Sequence, residues 1–138
     1  MEKIIVSTVV RAPRARVWET WTDPAHVVHW YFASDDWHVP RAENDLRVGG
    51  RFVTEMAARD GSAGFDFEGT YTEVLPQERI GYVMDDGRKV TIAFADKDGG
   101  TEVTETFDPE TENTIELQRH GWQSILDNFK KYAEGRTS

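Results

Sequence analysis

Ile80-Gly81-Tyr82-Val83-Met84-Asp85-Asp86-Gly87-Arg88-Lys89-Val90-Thr91-Ile92-Ala93-Phe94 alternates large apolar residues on either side of an Asp-Gly pair. Period two is the signature of a half-buried strand, and a turn as tight as Asp86-Gly87 returns the chain antiparallel. Downstream, Asp98-Gly99-Gly100 turns again into Val103, Glu105 and Phe107. Upstream, Phe65, Phe67 and Tyr71 alternate along a strand that runs to Leu75 before Pro76. Val74 falls one residue out of phase with them, which predicts a bulge or strong twist near Thr72. Leu46-Arg47-Val48 and Phe52-Val53-Thr54-Glu55-Met56 flank Gly49-Gly50 and read as a tight hairpin. Residues 33–44 have no clean period and read as loop. Connections of these lengths imply an antiparallel meander.

Both ends of the chain complete the pattern. Residues 2–10 are rich in β-branched side chains and read as the first strand. Pro13 suits a first helical turn ahead of Val17, Trp18 and Trp21; Asp23 can cap a second helix opened by Pro24. From Thr114 to about Ala133 the period is helical. Ile115, Gln118, Trp122, Ile125, Leu126, Phe129 and Ala133 share one broad face, Asn113 with Glu116 forms a capping box, and Gly135 stops the helix. The predicted fold class is α+β: a seven-stranded curved antiparallel sheet wrapped around a long C-terminal helix, with two short helices after the first strand. Gly121 sits in mid-helix, where glycine costs about 1 kcal/mol relative to alanine. It marks either close packing on the early helices or a shaped pocket wall.

With 138 residues and no internal repeat or linker, a single domain over 1–138 is expected. Absence of cysteine removes thiol chemistry and zinc-thiolate sites, and fits the cytoplasm. The apolar run at Ile4-Ile5-Val6 is too short for a signal peptide, and no stretch has the length to cross a bilayer. A formal charge of −9 argues against nucleic acid and against an anionic membrane as partners. Five Trp, four Tyr and seven Phe must line a core, a pocket or an interface; Trp122, Ile125, Phe65, Phe67, Met84, Phe94 and Phe107 each suit a plain core, and together they exceed what a closed core needs.

Four motifs carry a resemblance. Val17-Trp18-Glu19-Thr20-Trp21-Thr22-Asp23-Pro24-Ala25-His26 followed by Trp30 is similar to the N-terminal signature of the homologues of the activator of heat-shock-protein ATPase. These AHSA-type proteins are a branch of the START and birch-pollen-allergen-like (SRPBCC) superfamily. Asp45-Leu46-Arg47-Val48-Gly49-Gly50-Arg51-Phe52 resembles their central hairpin, and Phe67-Glu68-Gly69-Thr70-Tyr71-Thr72-Glu73-Val74-Leu75-Pro76 the strand after it. Gly121-Trp122-Gln123-Ser124-Ile125-Leu126-Asp127-Asn128-Phe129-Lys130-Lys131-Tyr132 resembles their terminal helix. In series they span nearly the whole chain. The resemblance implies the helix-grip fold with a cavity between sheet and long helix. It also implies the superfamily's habit of binding lipids, sterols, polyketides or other apolar molecules, a minority being cyclases or hydroxylase components. The family's name reflects one eukaryotic member whose domain works within a larger protein.

The expected function is therefore binding of a small apolar or aromatic ligand in that cavity. Trp30, Trp37, Phe65, Phe67, Phe107, Trp122 and Ile125 are the expected walls, with Glu105 and Gln118 as polar anchors. Glu105 follows Val103 and precedes Phe107 at period two, so it should face inward and be desolvated. The alternatives are an ion pair with an arginine or a bulge that turns it out. Asp35, Asp36 and His38 around Trp37 form a second cluster, either a mouth that closes on ligand or charges facing water. His26 and His29 lie three apart on a helix without any recognised zinc spacing, so no metal is assigned. No nucleotide loop, nucleophile elbow or Rieske-type Cys/His pair is present, so no cofactor and no catalytic residue is assigned. Two rival readings remain: a chaperone-linked protein-interaction domain, and a cavity cyclase or hydrolase in which Glu105 works with a second group such as His38.

Overall fold

The computed structural model describes residues 3–135. Glu2, with which the predicted first strand opens, lies outside them, as does the chain beyond Gly135. In chain order the elements are β1 (Ile4–Val10), α1 (Arg14–Thr22), α2 (Pro24–Val27), β2 (Trp37–Asn44), β3 (Arg51–Ala58), β4 (Gly64–Leu75), β5 (Arg79–Met84), β6 (Lys89–Lys97), β7 (Gly100–Phe107) and α3 (Ile115–Gly135). Seven strands form one antiparallel sheet in the order β1-β7-β6-β5-β4-β3-β2. Consecutive strands from β2 to β7 are neighbours, as short turns demand, and β1 closes the far edge by pairing with β7. The α1–α2 connection carries the chain from one edge of the sheet to the other, and α3 lies along β1.

Local chemistry explains most boundaries. Asp23 accepts a hydrogen bond from the Ala25 amide (2.9 Å) and Pro24 opens α2, so the two early helices are separated by a cap. Thr72 falls where the β4–β5 register shifts between Tyr71 and Glu73, the bulge expected from the phase of Val74. On β1 the outer edge is sealed by α3: Gln123 Nε2 donates to the Ser7 carbonyl (3.2 Å), and Lys130 Nζ to that of Val9 (2.5 Å). An unpaired strand edge is thereby covered.

Three expectations are corrected. The strand partner of β3 is β2, within the segment read as loop, and not Leu46-Arg47-Val48. Pro40 and a register shift between His38 and Arg41 break the alternation there, which hides the strand from a period-two reading. Gly49-Gly50 belongs to a longer connection over residues 45–50. Gly49 has φ +85°, and a Cβ on Gly50 would sit 2.0 Å from the Asp45 carbonyl oxygen. The cap of α3 is Thr114, whose Oγ1 accepts from the Leu117 amide at 3.1 Å. Asn113 instead bonds Glu110 through its amide N–H (2.6 Å) and its side chain (3.0 Å).

The core has a closed half and an open half. Trp21, Trp30 and Phe129 pack with ring centroids 4.7–4.8 Å apart beneath α1, and Leu126 and Ala133 join them from α3. The N-terminal half of α3 stands away from the sheet. Ile115, expected on the buried face, is exposed there. No helix among the described residues is long and apolar enough to cross a membrane.

Candidate functional site

Where α3 stands off, a cleft of about 520 Å³ opens between it and strands β3–β7. That volume is in the range of small-molecule pockets. Its aromatic wall is continuous: Trp122, backed by Phe107 (3.8 Å, 11° between planes), meets Phe67 edge-on (6.2 Å), and Phe67 meets Tyr31 (5.7 Å). Met56, Met84 and Ile125 fill the gaps between the rings. Phe65 and Leu117 stand at the mouth, 52% and 57% exposed, large apolar side chains with little to bury against. Beyond Tyr31 and Phe67 lies a second cavity of about 50 Å³, lined by Trp21, Phe52, Tyr71 and Tyr82 among others.

Glu105 is the carboxylate among the buried polar residues, 2% exposed. The register of β7 runs unbroken against both β1 and β6, so no bulge turns the side chain out. Its cross-strand neighbours are Val6 and Ile92, both apolar, and neither a hydrogen bond nor a charged neighbour shifts its carboxyl. Burial alone pushes that carboxyl up to about 8. The two phenols nearest it respond in kind. Burial raises Tyr31 and Tyr82 far above the ordinary phenol range, and the charge of Glu105 adds to both shifts. A carboxyl held this way is a hydrogen-bond donor when protonated and, once ionised, an uncompensated charge seeking a cation.

The structure brings together six of the nine expected site residues: Phe65, Phe67, Glu105, Gln118, Trp122 and Ile125 all line the cleft. Three stand outside it. Trp30 is in the closed core, its indole N–H donating to the Thr20 carbonyl (3.0 Å), because α2 ends one turn earlier and points the ring under α1. Phe107 lies one layer behind the wall, stacked on Trp122. Trp37 packs against Phe65 (6.1 Å) from β2, beyond the mouth. Gln118 reaches the cleft with its amide already committed. It donates to the Glu110 and Asn113 carbonyls (3.1 and 2.9 Å) and accepts from the Glu110 amide (2.8 Å), fastening the β7–α3 connection.

Gly121 lines the cleft, and a Cβ placed on it would meet nothing within 4 Å. It serves the open wall, so packing against the early helices is not its purpose. Asp35 and Asp36 are exposed, and their carbonyls take hydrogen bonds from Arg59 at 2.8 Å; neither they nor His38 lines the cleft. His26 and His29 flank Tyr132: the His26 Nδ1 lies 2.9 Å from its hydroxyl, and the His29 ring stacks on it at 5.7 Å. Among the described residues no group of three or more His, Asp or Glu is placed to hold a metal ion.

Sequence reasoning missed Tyr31 and the mouth. Tyr31 follows the short α2, where no period is long enough to assign a face. Asp66, Glu68, Asp85, Asp86 and Glu110 line the mouth together with Arg88, whose Nε is 2.8 Å from Asp86. These residues come from three separate segments, and their convergence has no signature in the linear chain.

Comparison with known proteins follows the same lines. The family described as Activator of Hsp90 ATPase homolog 1-like protein matches residues 11–134. An AHSA1-like protein from Aeromonas hydrophila, solved in solution, superposes with a TM-score of 0.92 at 50% identity, over 98% of this chain and 94% of that one. A protein of Cytophaga hutchinsonii gives 0.84 at 49% identity over 98% and 94% of the two chains. A protein of Chromobacterium violaceum gives 0.85 at 27% identity over 97% and 99%. No curated protein matches the chain.

Proposed function

This chain belongs to the Activator of Hsp90 ATPase homolog 1-like family, and we propose that it is a binding module for a small apolar or aromatic ligand held in the cleft between sheet and α3. One observation carries the reading. A cleft of about 520 Å³ is walled by Trp122, Phe67, Tyr31 and Ile125, and the buried carboxyl of Glu105 lines it with them. Folding leaves an apolar wall open and a carboxyl desolvated only against a cost, and a ligand that covers the first and engages the second removes both penalties.

The ligand's apolar body would lie along Trp122 and Phe67, beneath Phe65 and Leu117, and its polar group would face Glu105. Specificity follows from this division: ring faces accept many flat apolar shapes, whereas a single buried polar group orients them. A thermal-shift screen of apolar and aromatic small molecules tests the reading. Saturable stabilisation is expected for the native protein, weaker in Trp122→Ala and absent in Gly121→Leu, which fills the cleft from its own wall. A ligand that stabilises Gly121→Leu as well as the native chain binds elsewhere, and the proposal fails.

A further inference from the structure

The mouth and the interior of the cleft carry the same sign. Asp66 and Glu68 on β4, Asp85 and Asp86 after β5, and Glu110 before α3 line the opening; Arg51 pairs with Asp85 (2.9 Å) and Arg88 with Asp86 (2.8 Å), which leaves the carboxylates of Asp66, Glu68 and Glu110 in excess. Deeper in, Glu105 lines the same cleft at 2% exposure, and burial, not a hydrogen bond or a charged neighbour, is what shifts its carboxyl. The rings of Trp122, Phe67 and Tyr31 line the same cleft. Carboxylates at a mouth raise the local concentration of cations and repel anions. Aromatic faces attract cations once water is excluded. A buried carboxyl at the end of that path completes a track for one kind of polar group.

We infer that the ligand of this cleft is a cationic amphiphile, an apolar or aromatic body carrying an ammonium group that seats against Glu105. The inference rests on the ligand-binding reading above and names the chemical class. It disfavours apolar acids such as fatty acids, whose carboxylate the acidic rim repels.

Proton bookkeeping makes the class measurable. Glu105 is held protonated in the empty cleft, its surroundings being Val6 on β1, Ile92 on β6, the phenols of Tyr31 and of Tyr82 on β5, the uncharged Gln118 and Trp122 on α3, and the rim carboxylates with Arg88. A bound ammonium stabilises the carboxylate, so the acid gives its proton to solvent as the ion pair forms. Affinity for an amine must therefore rise as pH climbs from 6 toward 8, whereas a neutral alcohol gains nothing over that range.

Three probes with one skeleton decide the matter: naphthylmethylamine, naphthylmethanol and naphthoate, titrated calorimetrically at pH 7 in two buffers of different ionisation enthalpy. The amine is expected to bind about tenfold tighter than the alcohol, with naphthoate weakest, and to release a proton on binding. In Glu105→Gln, which keeps the shape, the amine's advantage should fall below about threefold. If that variant does not fold, proton release by the native protein carries the test. An alcohol that binds as well as the amine, or an amine bound without proton release, overturns the charge class and leaves the pocket standing. If none of the three binds, the pocket reading falls and this inference with it.

Discussion

Glu105 sits between Val6 and Ile92 because β7 alternates without interruption, and the alternation that buries Val103 and Phe107 buries it too. The consequence is a stability that depends on pH in an unusual direction. An ordinary glutamate titrates near 4.5, and this one is pushed up to about 8 by burial. Between those values the unfolded chain has released the proton and the folded chain still holds it. The folded state binds more protons, so stability falls as pH rises through this window and levels off above it. Glu105→Gln removes the effect. Its melting temperature should exceed that of the native protein at pH 8 by a margin that shrinks toward pH 5. The slope is at most about 1.4 kcal/mol per pH unit. Thermal melts at pH 5, 6.5 and 8 check it, and a margin independent of pH would mean that Glu105 titrates as if exposed. This residue was legible in the sequence because period two fixes a face. Tyr31 was not, since the four residues of α2 set no period.

α3 shows what a helix can be asked to do along its length. Its C-terminal half buries Leu126, Phe129 and Ala133 against the tryptophans of the early segment, while its N-terminal half holds Gly121 over open space and rests on the sheet through Trp122, stacked on Phe107. Glycine in mid-helix sacrifices backbone entropy, and a methyl group there would meet nothing within 4 Å. Gly121→Ala should accordingly stabilise the protein by about 0.5–1 kcal/mol, read as a shift in the urea midpoint, and weaken binding of any cleft ligand by narrowing the wall. A destabilised variant would mean that the helix leans on this position after all. The helix itself, its length and its apolar face were readable from the 3.6-residue period. The strand β2 was not, because Pro40 and a register shift erase its alternation, and the glycine pair after it imitates a hairpin turn. The count of seven strands came out right although one of them was placed in the wrong segment. An antiparallel meander needs a partner for β3, and β2 supplies it from just upstream.

At the scale of the molecule, the packed core and the open cleft lie at opposite ends of the sheet–helix layer pair. The closed end is a cluster of Trp21, Trp30 and Phe129 under α1, with the edge of β1 sealed by Gln123 and Lys130. The open end is the cleft, whose polar fastening is Gln118 and whose mouth holds exposed Phe65 and Leu117. Such a division predicts unequal local stability. Amides in the first three turns of α3 can open without disturbing the closed core, whereas those from Leu126 onward exchange only when the tryptophan cluster comes apart. Native-state hydrogen exchange should therefore find the N-terminal half of α3 less protected than its C-terminal half, although both belong to one continuous helix. Ligand occupying the cleft binds the closed conformation alone, so it should slow exchange in residues 115–125 by a factor that grows with its concentration. Protection beyond Leu126 already reflects the core and should change much less while opening there remains local. Uniform protection along α3, with or without ligand, would mean that the helix opens as one unit and that the cleft has no stability of its own to lend to binding.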